Sequence, residues 1–203
     1  LIGPLANEFP NVEIYADTFS RLLLDLVSLL HQEGKTEDAA KHIHAAIGFW
    51  DKLIERDPLA ASSGIFEELG NALKDAGHKA EAKSVYQKQI ASIKRLIAEQ
   101  PMVPGHQWNL FHAQRMHGFT SLEMNQLSEA IMLFEDALDT ISKMASDFPS
   151  DPKYQEWLAK HLGTIGKAFR KSGSKEDAEQ FFRKRVNRFE QLATTQPSVP
   201  QYQ

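Results

Sequence analysis

The chain has 203 residues, 42% of them apolar, and carries 23 Lys and Arg against 27 Asp and Glu for a net charge of −4. It contains no cysteine, which excludes disulfides, thiol nucleophiles and cysteine-ligated zinc or iron–sulfur sites. No apolar run reaches the roughly 18 residues of a membrane span; the best candidate, Leu22 to Leu30, is interrupted by Asp25 and Ser28. Neither a secretory leader pattern nor an N-x-[ST] sequon occurs, so a cytoplasmic location is expected.

Self-similarity organises the rest. Proline recurs at Pro10, Pro58, Pro101, Pro149 and Pro197, at separations of 48, 43, 48 and 48 residues. A turn residue follows each of the first four, at Gly34, Gly77, Asn125 and Gly173, and an acid-alanine pair comes shortly after it, at Asp38-Ala39, Glu81-Ala82, Glu129-Ala130 and Asp177-Ala178. Counting from each alanine, apolar residues fill the fourth slot (Ile43, Tyr86, Phe134, Phe182), the eighth (Ile47, Ile90, Leu138, Val186), the eleventh (Trp50, Ile93, Ile141, Phe189) and the fourteenth (Leu53, Leu96, Met144, Leu192). Those offsets trace one face of an α-helix ended by proline. The segment before each turn shows the same period, as in Leu23, Leu26 and Leu30 or Leu158, Leu162, Ile165 and Phe169.

In chain order this predicts four hairpins, each a leading and a trailing helix: roughly 14–32 and 36–56, 60–76 and 79–99, 106–123 and 127–147, then 152–171 and 175–195. The second copy is five residues short, all lost between Pro58 and Gly77, so its leading helix is expected to begin late, at about Ala60 to Ile65. The units are residues 11–58, 59–101 (short), 102–149 and 150–197, with 1–10 read as the tail of a preceding repeat and 198–203 as the start of a further one. Uncapped ends of this kind are expected to fray or to support self-association. Within each hairpin the alanine, and Gly70, Gly118 and Gly166 at one shared leading-helix slot, are expected where the two axes cross closely.

Leu69-Gly70 with Ala82 and Tyr86, Gly118 with Ala130 and Phe134, and Ile165-Gly166 with Ala178 and Phe182 resemble the tetratricopeptide repeat, whose signature is L-G, then A, then an aromatic, then P. The resemblance covers essentially residues 11–197 and implies an all-α, right-handed α-solenoid of antiparallel helix-turn-helix hairpins. Its period exceeds the usual 34 residues, as in the long-repeat variants of kinesin light chains and of bacterial arrays attached to kinase domains. The first copy departs from the signature with Val27 and Ile43, and the third with His117 for leucine and Asn125 for the turn glycine. By this resemblance the chain is a non-catalytic protein- or peptide-binding scaffold, or alternatively the regulatory array of a larger enzyme whose catalytic domain lies elsewhere.

The chemistry-bearing residues are few. No phosphate-loop or G-x-S-x-G signature occurs, and Gly163 to Lys167 falls inside a predicted helix. His106, His112 and His117 lack the i, i+4 spacing of a helical zinc site, and His117 replaces a core leucine, so a hydrogen-bonded, partly buried side chain is expected there. No metal and no cofactor are implied. Charge is unevenly spread: residues 1–159 hold 14 basic and 23 acidic side chains, whereas 160–190 hold 9 and 4. Leading-helix slots that should line a concave groove carry Lys160, Lys167, Arg170 and Lys171 in the fourth copy, and His112, Arg115, Phe119 and Leu122 in the third. The expected ligand is an acidic protein segment or peptide, with Phe119 and Leu122 supplying apolar contact. A pI near 6.1, with aromatics not interleaved among the cations, argues against nucleic acid.

Overall fold

The computed structural model describes residues 13–57, 59–60, 64–148 and 151–195. Among them are eight helices and no strand: α1 (Glu13–Gln32), α2 (Thr36–Arg56), α3 (Ile65–Asp75), α4 (Lys79–Glu99), α5 (Pro104–Glu123), α6 (Leu127–Asp147), α7 (Pro152–Ser172) and α8 (Lys175–Thr195). Helix α3 starts at Ile65, the late end of the expected range Ala60 to Ile65, after a connector in which Leu59 N–H donates to Asp57 Oδ1 at 2.9 Å and Ala60 N–H to the Asp57 carbonyl at 3.0 Å. One of the other expected bounds differs by more than a residue. Helix α5 starts two residues early, with Pro104 at its first position, where the missing N–H costs nothing. The connector prolines Pro10, Pro58, Pro149 and Pro197 and both chain ends lie outside the described residues.

All four hairpins turn in the same way. Gly34, Gly77, Asn125 and Gly173 have φ of 74°, 88°, 61° and 91°, the left-handed region in which a β-carbon is strained and asparagine is the best tolerated substitute. The residue after each donates back five positions: Lys35 N–H to Leu30 O, His78 to Leu73, Gln126 to Ser121 and Ser174 to Phe169, at 2.8 to 3.0 Å. These bonds satisfy carbonyls that each leading helix would otherwise leave open. At the start of α7, Asp151 Oδ1 accepts from Lys153 N–H at 3.1 Å, ahead of a proline in the first turn.

The small residues set the distance between paired helices. Ala39, Ala82 and Ala130 are fully buried and Ala178 nearly so. A β-carbon on Gly70 would collide with the Tyr86 ring; one on Gly118 would lie 2.7 Å from Phe134 Cε1, and one on Gly166 2.9 Å from Phe182 Cε1. Each glycine therefore makes room for the aromatic of its own trailing helix, and the L-G and aromatic slots are two halves of one contact. The first hairpin puts Val27 and Ile43 in these slots, both buried, so volume moves from the trailing helix to the leading one.

The chain divides into two compact units, Leu1–Asn109 and Leu110–Gln203, the boundary falling inside α5. In the first, α1 packs on α2, α3 packs on α4, and the hairpins meet through α1 and α3. Phe19 is edge-on to Phe49 at 5.1 Å and Trp50 to Phe66 at 4.9 Å, with ion pairs Arg21–Glu68 (3.1 Å) and Lys88–Asp51 (2.6 Å) outside. In the second, Phe134 of α6 contacts Phe119, Phe169 and Phe181 at 4.9, 5.7 and 6.5 Å, and Phe169 stacks on Phe181. Thr140 Oγ1 donates to Gln114 Oε1 at 2.9 Å, tying α6 to α5. His117, expected to be partly buried and hydrogen-bonded, is 3% exposed, and its Nε2 lies 3.7 Å from Glu129 Oε1, an ion-pair distance beyond hydrogen-bond reach.

Candidate protein-binding surface

Helix α7 carries the cations. At about 100° per residue, Lys160, Lys167 and Lys171 fall within about 20° of one line, whereas Arg170 is about 80° to one side. All four are exposed. Gly166, to the same side as Arg170, meets Phe182 of α8, while Trp157 and His161, to the other side, meet α5. Arg170 accordingly lines a cavity of about 610 Å³ with Ala178, Phe182 and Val186 of α8. The structure thus aligns three lysines along α7 and turns Arg170 away from α5, which separates it from the stripe expected to contain it.

On α5, His112, Arg115 and Phe119 are half-buried. Phe119, expected to be an exposed anchor, packs edge-on against Phe134 at 4.9 Å and has the Arg115 guanidinium 5.7 Å from its ring centre. Leu122 is 8% exposed and belongs to the core. It occupies the same repeat slot as Arg170, turned off the groove line by the same angle, so its assignment to an accessible wall is corrected.

Arg115 and Lys160 converge on a group that the slot analysis did not single out. His161 is 3% exposed, stacked on Trp157 at 5.0 Å and edge-on to Phe111 at 4.7 Å, and neither ring nitrogen hydrogen-bonds to a described protein group. His112 lies on the same Trp157, 6.1 Å away, and Lys160 Nζ lies 4.9 Å from that ring. Burial, reinforced by the charges of Arg115, His112 and Lys160, pushes the His161 imidazole down to about 3, so the ring is neutral at physiological pH. The signal in the sequence was alanine, Ala113, in the equivalent slot one repeat earlier; the structure buries both residues.

Several other cations of this unit pair with carboxylates. Lys184 pairs with Glu135 (3.0 Å) beside a cavity of about 540 Å³ on the trailing-helix side, Arg183 with Glu179 (2.6 Å), and Lys143 with Asp147 (2.7 Å). Among the described residues, no ion pair engages Lys160, Lys167, Arg170 or Lys171. No group of three or more His, Cys, Asp or Glu able to hold a metal ion occurs among them, and no helix is long and apolar enough to cross a membrane.

Compared with known proteins, the chain matches no family model and no curated relative. The repeat register and this cationic wall are therefore the grounds for a functional reading.

Proposed function

We propose that the chain is a protein-binding scaffold, a right-handed α-solenoid of long-period tetratricopeptide-type hairpins that holds an acidic segment of a partner along the leading-helix wall of its last two repeats. It performs no chemistry of its own in this reading. The observation that carries it is the line of Lys160, Lys167 and Lys171, exposed, aligned on one helix and without carboxylate partners among the described residues, in a chain of net charge −4. Repelling cations held in a row destabilise the free protein slightly, and a polyanionic ligand relieves that repulsion. Arg115 and His112 border the same line from α5, and Phe119 offers the uncovered part of its ring.

The direct test is fluorescence anisotropy with a labelled Glu- and Asp-rich peptide, titrated at rising salt. Binding should weaken steeply with ionic strength, because exposed charges more than about 10 Å apart are screened at 0.1 M. Lys160→Glu combined with Lys167→Glu should abolish it, with unchanged circular dichroism. Equal affinity in the parent and the double variant would overturn the reading.

A further inference from the structure

Most of the wall is solvated, but at one place a ligand charge would act on a group out of water. His161 lies beneath the surface between α7 and α5, and the charges acting on it are Arg115 and His112 from the facing helix and Lys160 from its own, all of one sign. The aromatic rings of Trp157 and Phe111 pack against it. A buried imidazole without a hydrogen-bond partner leaves polar capacity unused at a cost of about 1 to 3 kcal/mol, and nothing in the packing of α5 on α7 requires a histidine where the preceding repeat has Ala113.

We propose that a carboxylate of the bound acidic segment seats at Arg115 and Lys160, above His161, and that His161 takes up a proton from solvent as it binds. This rests on the reading of the wall as an acidic-segment site and adds a position and a proton to it. The carboxylate neutralises the two cations that disfavour a charged imidazole and places a negative charge beside it. An N–H bond forms on the ring, no other bond changes, and the imidazolium then holds the carboxylate from below. At pH 5 the free protein keeps His161 neutral, and the complex charges it. Linkage makes this reciprocal: lowering the pH tightens binding, and binding makes His161 easier to protonate. The His161 variants separate this from a purely solvated wall, whose pH dependence would come from the ligand carboxylates and the other histidines of the chain and would be the same with or without His161.

The experiment is isothermal titration of the full chain with the Glu- and Asp-rich peptide at about pH 7 and pH 5, each in two buffers of different ionisation enthalpy, which counts protons taken up. Inorganic phosphate is run alone as a second arm. The parent should bind the peptide about threefold or more tightly at pH 5 than at pH 7, with net proton uptake at pH 5. His161→Phe keeps a ring on Trp157 and should bind at pH 7 as the parent does, while losing both the gain and the uptake. His161→Gln is a second variant of different shape, and His112→Gln should retain the uptake. Peptide binding without uptake, or uptake that persists in both His161 variants, overturns the proposal and leaves the acidic-segment reading standing. Phosphate binding that matches the peptide's affinity and uptake would overturn the carboxylate assignment. No peptide binding at either pH overturns both.

Discussion

The third and fourth hairpins share one register and differ in what covers them. Phe134 and Leu138 of α6 are buried, at 0% and 7% exposure, whereas their counterparts on α8 are a half-buried Phe182 and a Val186 that is 55% exposed. Leu122 is core, while Arg170 in the same slot borders an open cavity. Repeat position therefore dictates the direction in which a side chain leaves its helix, and the adjacent hairpin decides whether that direction is interior or surface.

The largest expected effect separates the two aromatics. Phe134→Ala should cost roughly 3 to 5 kcal/mol, because the ring is enclosed by Phe119, Phe169 and Phe181 and its loss leaves a cavity. Phe182→Ala, beside the open cavity, should cost less than half as much. Urea denaturation of both variants checks this, and equal losses would mean that α8 is covered as fully as α6.

Acid should act next, on the α5–α7 contact. His161 is held neutral in the folded chain, with its titration pushed down to about 3, while an unfolded histidine titrates near 6.5. Below pH 6.5 the unfolded chain binds the additional proton, so stability is full above that pH and is lost progressively as pH falls towards 3. At pH 5 the loss from this residue is about 2 kcal/mol. Melting curves from pH 7 to pH 4 should show a smaller drop for His161→Phe than for the parent; parallel curves would contradict the assignment.

A smaller effect grades the glycines. Gly118→Ala should destabilise by about 1 to 2 kcal/mol, since Phe134 has no room to move from the new β-carbon. Gly166→Ala should cost less, because Phe182 can turn towards the cavity. Gly48→Ala, with nothing within 4 Å of the added carbon, should instead stabilise α2 by up to about 1 kcal/mol. Three melting temperatures in that order would confirm that the glycine slot is a steric contact with the aromatic; identical shifts would show it to be a matter of helix propensity alone.

These contrasts mark what could be read before the coordinates. The paired helices, the four left-handed turns including Asn125, and the buried alanines follow from local rules that repeat along the chain, so each copy corroborates the others. The late start of α3 was legible as a missing five residues. Leu122 and Arg170 were not separable, because one slot offers the same angle to both and only the neighbouring hairpin distinguishes them. His161 was not legible for a related reason: it sits one position inside the wall, and the packing of α5 on α7, which also buries Ala113 in the equivalent slot, makes that position interior. The alignment of Lys160, Lys167 and Lys171 was visible in their spacing of 7 and 4 residues, and it is the part of the surface on which the functional reading depends.

That dependence is tested most directly by moving the same charge change to another helix. Lys160→Glu with Lys167→Glu alters net charge by the same amount as Lys94→Glu with Arg95→Glu, two exposed cations on α4. Titration of the Glu- and Asp-rich peptide into both double variants at one ionic strength should show at least tenfold weaker binding for the α7 pair than for the α4 pair, a difference of about 1.4 kcal/mol. Equal weakening by the two pairs would mean that the peptide senses only the overall charge of the chain and that α7 holds no dedicated site.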